Sequence, residues 1–179
     1  MTLEPRVNRP GEEVAILVVM GVSGSGKTTV GALLAGRLGW EFEDGDDFHP
    51  PANVAKMRSG TPLTDEDRWP WLHSVAAWID AVRGGGRRGV VTCSGLKRAY
   101  RDILVGDRPD VRLIYLQGSH DVIAQRQAAR LGHFMPPTLV GSQFATLEEP
   151  GADEGAVVVS VEPRPGVIAD TVIERLQLQ

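Results

Sequence analysis

Apolar positions along the chain alternate between two kinds of pattern. Val14–Met20 is a continuous aliphatic and β-branched run, the signature of a strand buried on both faces of a parallel sheet. Residues 28–38 switch to helical spacing, with Val30, Leu33, Leu34 and Leu38 on one face. Short apolar runs at 40–43, 89–93, 111–116 and 156–161 predict four more strands. Between them, helices are predicted at 50–58, opened by prolines, at 68–83, where Trp71, Leu72, Val75, Trp78, Ile79 and Val82 form one face, and at 97–105, 120–131, 138–147 and 166–178. Strands alternating with helices predict an α/β fold, a five-stranded parallel sheet with helices on both faces. No repeat, low-complexity tract or second domain interrupts it. Residues 1–13 read as a loose N-terminal tail and 14–179 as one domain.

Composition narrows the function. A chain of 179 residues buries one substantial core without disulfides or structural metal. The net charge of -4 argues against a broad nucleic-acid-binding surface and against a polybasic membrane tether. The single cysteine, Cys93, makes no internal disulfide and is most simply a buried strand residue. The longest apolar stretch, Val14–Val22, is about half the ~20 residues a membrane span requires, and the N-terminal residues carry no signal-peptide core. The expectation is a cytoplasmic protein acting on small molecules.

The most specific chemistry lies directly after the first strand and before the first helix. Gly21-Val22-Ser23-Gly24-Ser25-Gly26-Lys27-Thr28 fits the phosphate-binding pattern G-x-x-x-x-G-K-[ST]. Its glycines let successive N–H groups turn inward toward phosphate oxygens, and the following helix presents its positive end. Lys27 is placed to reach the β- and γ-phosphates, and the Thr28 hydroxyl to ligate Mg²⁺. The expected ligand is a purine nucleoside triphosphate with Mg²⁺. The chain lacks the D-x-x-G and N-K-x-D segments of a GTPase switch. Its third strand ends in Cys93-Ser94, without the carboxylate of motor and transporter ATPases. A small-molecule kinase suits these features better.

An acidic turn, Asp44-Gly45-Asp46-Asp47, follows the second strand. Ligands of open parallel sheets bind beyond the carboxyl ends of strands, so this turn is expected to face the phosphate loop. One carboxylate there can serve Mg²⁺ and another can accept the proton of an acceptor hydroxyl. The polar stretch after it contains Lys56, Arg58 and Arg68, candidates for pairing with an anionic acceptor. Arg126 and Arg130 share a helix face and lead into Gly132-His133-Phe134-Met135-Pro136-Pro137, the composition of a mobile lid at about 126–140.

Together these stretches resemble the small P-loop gluconate kinases (gluconokinases), relatives of shikimate and adenylate kinases. The resemblance rests on GVSGSGKTT, DGDDFHPPANVAKMRSGTPLTDEDRWPWL, CSGLKRAYRD, RLIYLQG and RQAARLGHFMPPTLVGSQFATLEEP with the ADE that follows, from about Met20 to Glu154. It implies ATP:D-gluconate 6-phosphotransfer with Mg²⁺, an adenylate-kinase-like fold with a lid, a homodimer, and a supply of 6-phosphogluconate to the pentose phosphate pathway. It implies that Gly21 to Thr28 bind ATP, that Thr28 and Asp44 serve the metal, and that Lys27, Asp46 and Arg130 are catalytic. It also implies that Asp46, Lys56, Arg68 and Lys97 contact gluconate and that Arg126 contacts ATP. One departure is Gly95, where members of the family often carry alanine. Shikimate kinase is the nearest rival, but its glycine triplet lies at the carboxyl end of the third strand, whereas Gly84-Gly85-Gly86 precedes that strand here. The rival from another class is a regulatory module that binds ATP without transfer.

Overall fold

A computed structural model describes residues 13–129 and 138–179. Five strands, β1 (Ile16–Met20), β2 (Glu41–Asp44), β3 (Gly89–Thr92), β4 (Val111–Gln117) and β5 (Val157–Ser160), form one sheet in the order β2-β3-β1-β4-β5. Every pairing is parallel, with Ile16 opposite Gly89 on one side and Val111 on the other. Central β1 is fully buried, which is why it carries a continuous apolar run instead of an alternating one.

Among the described residues, six α-helices lie between strands and one follows β5: α1 (Lys27–Leu38), α2 (Pro51–Arg58), α3 (Asp65–Gly84), α4 (Arg98–Leu104), α5 (His120–Ala129), α6 (Thr138–Thr146) and α7 (Pro165–Leu176). Helix α1 packs with α7, and α3 with α4, closing the core over the sheet. No helix among the described residues is long and apolar enough to cross a membrane.

Most boundaries fall within two residues of the periodicity, and the differences have local causes. Helix α3 starts at Asp65, three residues before the predicted start at 68. Thr64 accepts from the Asp67 N–H, and the Asp67 carboxylate accepts from the Thr64 N–H, so a reciprocal cap extends the helix through polar residues. Strand β2 runs one residue further than expected and delivers Asp44 at its end. The acidic turn is a 3-10 turn, Gly45–Phe48, capped by the Asp44 carboxylate on the Asp46 N–H at 3.0 Å. Lys97 sits at the N-cap position just before α4, without a side-chain cap, instead of opening the helix. The family departure, Gly95, adopts φ 56°, a left-handed conformation that a β-carbon disfavours.

One buried ion pair braces the carboxyl edge of the sheet. Arg101 and Glu154, with side chains only 2% and 7% exposed, meet as a fork at 2.6 and 2.8 Å. The remaining Arg101 nitrogen donates to the Gly95 and Glu148 carbonyls, so the loop after β3 and the segment after α6 are held by one guanidinium.

Candidate active site

The phosphate loop curls as its sequence requires. Gly24 and Gly26 take φ 85° and 94°, and the first helical residues of α1 are Lys27 and Thr28. The Lys27 ammonium donates to the Val22 carbonyl at 3.1 Å and so lies across the loop. Two glutamines buttress it. Gln127 on α5 donates to the Ser23 hydroxyl at 2.8 Å, and Gln143 on α6 accepts from the Ser23 N–H at 2.6 Å. Sequence reasoning had not singled out either glutamine, although Gln143 lies within SQF, part of the resemblance.

The acidic turn and the loop meet as expected. The Thr28 hydroxyl donates to Asp44 Oδ2 at 2.8 Å, while the Thr92 hydroxyl donates to Asp44 Oδ1 at 3.0 Å. Two oxygen donors, one of them anionic, therefore stand side by side at the start of α1. Magnesium bound mainly through substrate phosphates takes one or two protein oxygens of this kind, so the donor set fits Mg²⁺. Among the described residues no cluster of three or more His, Cys, Asp or Glu is arranged to hold a metal unaided.

The turn itself is pinned from below. The Gly45 N–H donates to the Thr92 hydroxyl at 3.2 Å, and the Gly45 carbonyl accepts from the Trp71 indole at 2.7 Å. A β-carbon at Gly45 would sit 1.9 Å from the Thr92 carbonyl oxygen, so close approach to β3 demands glycine here. Trp71 was expected simply to fill the core. It is buried, but it also carries this hydrogen bond and stacks on His49, with ring centroids 4.0 Å apart.

One cavity joins the two sides, lined by Lys27, Thr28, Asp46, His49, Arg68 and Gln143 among others. Of the four basic residues expected around the acceptor, Lys56, Arg58, Arg68 and Lys97, only Arg68 lines it. Lys56 is bound to Asp67 at 2.7 Å, and this hydrogen bond, helped by the Thr64 N–H, draws the Asp67 pKa down to about 2. Lys97 is bound to Asp65 at 3.0 Å. The Tyr100 hydroxyl and then Lys97 lower the Asp65 pKa, while Asp65 raises that of Lys97. Arg68 joins this cluster from the cavity side, donating to the Tyr100 hydroxyl at 3.1 Å. Lys56 and Lys97 are thus partners of the first turn of α3, one layer behind the cavity wall. Sequence periodicity did not find Asp65 and Asp67, because charged residues at a helix start look like ordinary capping.

Arg126 lies on the other side of the loop. It lines a second cavity with Gly24, Gly26 and Pro163, and donates to the Val161 carbonyl at 2.5 Å. Asp46 does not line this second cavity, although the two cavities share Gly24, Gly26 and Thr29. Arg130 and the segment 132–137 fall outside the described residues. Cys93, buried beneath the site, has its pKa raised to about 12 by desolvation, which leaves an inert thiol at neutral pH.

Comparison with known proteins places the family and the fold. The family model described as shikimate kinase matches residues 23–143. A gluconokinase of Gluconobacter oxydans is 48% identical over 169 residues, covering 94% of this chain and 95% of that protein. Among solved structures, a sugar kinase from a Janibacter species superposes with TM-score 0.87 at 46% identity, covering 92% of this chain and 95% of the other. A gluconokinase from Sinorhizobium meliloti superposes with TM-score 0.80 at 42% identity, covering 94% of each. A parallel sheet ordered β2-β3-β1-β4-β5, a phosphate loop after its central strand and identity at this level over nearly the whole length lead to one conclusion: the chain belongs to the gluconokinase family, within the shikimate kinase group of P-loop kinases.

Proposed function

We propose that the protein is a Mg²⁺-dependent gluconokinase, moving the γ-phosphoryl group of ATP to the 6-hydroxyl of D-gluconate. The observation that carries this reading is the shared cavity, in which the phosphate loop faces Asp46 and Arg68, in a chain 48% identical to a gluconokinase. Gly21 to Thr28 hold the phosphates through backbone N–H groups and the Lys27 ammonium. Arg126 and Pro163 flank the nucleotide side. Thr28 and Asp44 would hold Mg²⁺, which when bound neutralises charge on the β- and γ-phosphates.

On the acceptor side, the Asp46 carboxylate receives the proton of the attacking hydroxyl. Arg68 grips the gluconate carboxylate, with Asp65, Tyr100 and Lys97 fixing its direction from behind. Arg130 closes over the transferring group as part of a lid at about 126–140. Little covalent chemistry falls to the protein, so alignment and electrostatics supply the acceleration. Homodimer assembly and a cytoplasmic site of action belong to the same reading.

ADP release is the test, with ATP and Mg²⁺ against gluconate, shikimate, a nucleoside panel and no acceptor. Gluconate-dependent turnover giving the 6-phosphate is expected. Turnover with shikimate alone, or tight ATP binding without turnover on any acceptor, would reject the assignment.

A further inference from the structure

His49 stands at the back of the Asp46 cavity with its side chain 3% exposed, and its protonation can be read from its neighbours. Asn53 Nδ2 donates to the Asp67 carbonyl oxygen at 2.9 Å. A backbone carbonyl only accepts, so this atom is the amide nitrogen, with a second hydrogen to give. The same atom lies 3.3 Å from His49 Nδ1, which makes Nδ1 the acceptor. Burial first, then the Arg68 guanidinium, lowers the His49 pKa to about 4, so the ring is neutral at physiological pH. A neutral ring accepting at Nδ1 carries its one proton on Nε2.

The direction of that proton is set as well. Trp71 holds the imidazole face to face, with ring planes 18° apart, and is itself anchored by its indole to the Gly45 carbonyl. His49 Nε2 then lies 3.8 Å from Asp46 Oδ1, too far for a hydrogen bond and near enough to form one with a small rotation of the carboxylate. The Asp46 side chain keeps half its surface in solvent, whereas the imidazole is locked. A fixed imidazole thus stands beside a half-exposed carboxylate.

We propose that His49 is a positioning residue for phosphoryl transfer: its Nε2–H donates to Asp46 Oδ1 once the acceptor fills the cavity, turning the other carboxylate oxygen toward the acceptor hydroxyl. Asn53 and Trp71 complete the device by fixing tautomer and ring plane. The inference rests on the reading of Asp46 as the proton acceptor. A carboxylate without this hydrogen bond still receives the substrate, but samples orientations that do not transfer. The loss therefore falls on kcat and leaves KM unchanged.

The deciding comparison is His49→Gln against His49→Met, two side chains of similar length that differ in the presence of a donor. Steady-state kinetics with ATP and gluconate would be read alongside thermal melting. We expect His49→Met to lose roughly 10–100-fold in kcat, the scale of small misalignments, with both KM values within about 2-fold. His49→Gln should recover most of that loss, although it breaks the stack on Trp71 just as fully. In an Asp46→Asn background, His49→Met should cost less than about 2-fold more, because the group it serves is already disabled. Equal kcat for the Gln and Met variants, or losses that add to Asp46→Asn, would overturn the proposal. An Asp46→Asn protein with full turnover would instead reject the proton-acceptor reading, and this inference with it. Should His49→Met fail to melt cooperatively, His49→Phe, which keeps an aromatic ring for Trp71 and has no donor, takes its place in the same comparison.

Discussion

The nucleotide side and the acceptor side of the cavity are made of different materials. The first is a single contiguous segment, Gly21–Thr28, a glycine-rich turn of the kind that presents backbone N–H groups to phosphate. The second gathers side chains from the 3-10 turn and the residue after it, α2, α3, α4 and the loop after β3, and these side chains hold one another: Lys56 with Asp67, Lys97 with Asp65, Arg68 with Tyr100, His49 with Asn53 and Trp71. A backbone cradle depends on conformation and tolerates many side chains. A side-chain lattice depends on every partner, and the proposed function puts acceptor choice there. One fold can therefore keep its nucleotide and exchange its acceptor.

The contrast can be tested at both ends. On the nucleotide side the exception to backbone binding is Lys27, and its replacement should have the largest effect. Lys27→Met is expected to lower kcat by roughly 10²–10³-fold, the scale seen when one preorganised charge donor is lost. Rapid-quench measurement of the transfer step would check it, and a loss confined to ATP affinity would contradict it.

The acceptor lattice should announce itself through pH. The folded state lowers the His49 pKa from 6.5 to about 4, so between these values the unfolded chain binds the extra proton. Stability contributed by neutral His49 is complete above pH 6.5 and lost as pH falls toward 4, by up to about 3 kcal/mol. Denaturant titrations across that window should show this slope in the wild type, and His49→Phe should flatten it.

Within the lattice, the cavity-lining cation should matter more than those behind it. Arg68→Ala is expected to raise the KM for gluconate by roughly 10–100-fold, the value of one or two charged hydrogen bonds. The KM for ATP should stay within about 2-fold. Lys56→Ala should alter neither by more than about 3-fold, since its partner Asp67 is a half-buried helix cap and not a cavity wall. Equal effects of the two substitutions on gluconate KM would remove the distinction between wall and second layer.

The smallest change, one methyl group, probes where the two sides join. Gly45→Ala sets a β-carbon against the Thr92 carbonyl and should cost about 1–3 kcal/mol through displacement of the turn. A melting temperature unchanged from the wild type would show that the turn is not pinned to β3.

The same difference in materials decides how much could be read from the sequence. The phosphate loop was legible because its function is local: strand, glycines, lysine and helix follow one another in the chain. Strand order could be anticipated only in class, from the unbroken apolar run of β1. The acceptor side was legible in its ingredients and obscure in its assignments. Lys56, Arg68 and Lys97 are equivalent as sequence positions, and only the cap at Thr64 shows why two of them turn to Asp67 and Asp65. His49 and Trp71 were hidden for another reason. Their roles depend on a 3-10 turn packed against a helix in which Trp71 fits an ordinary apolar stripe. Arg101 and Glu154, far apart in sequence, give no periodic signal at all.

The central position of β1 also bears on how the protein is born. This strand leaves the ribosome first among the five, yet its two neighbours are β3 and β4, with Ile16 waiting for Gly89 on one edge and Val111 on the other. Until β3 is synthesised the most apolar strand of the sheet has two open edges, and until β4 follows it keeps one, a species prone to association with other chains. The phosphate loop that hangs from its end has no fixed base during the same interval. Nascent chains halted before β4 should therefore neither bind ATP nor resist protease, and the capacity for both should arrive together, late in translation, when the middle of the sheet closes.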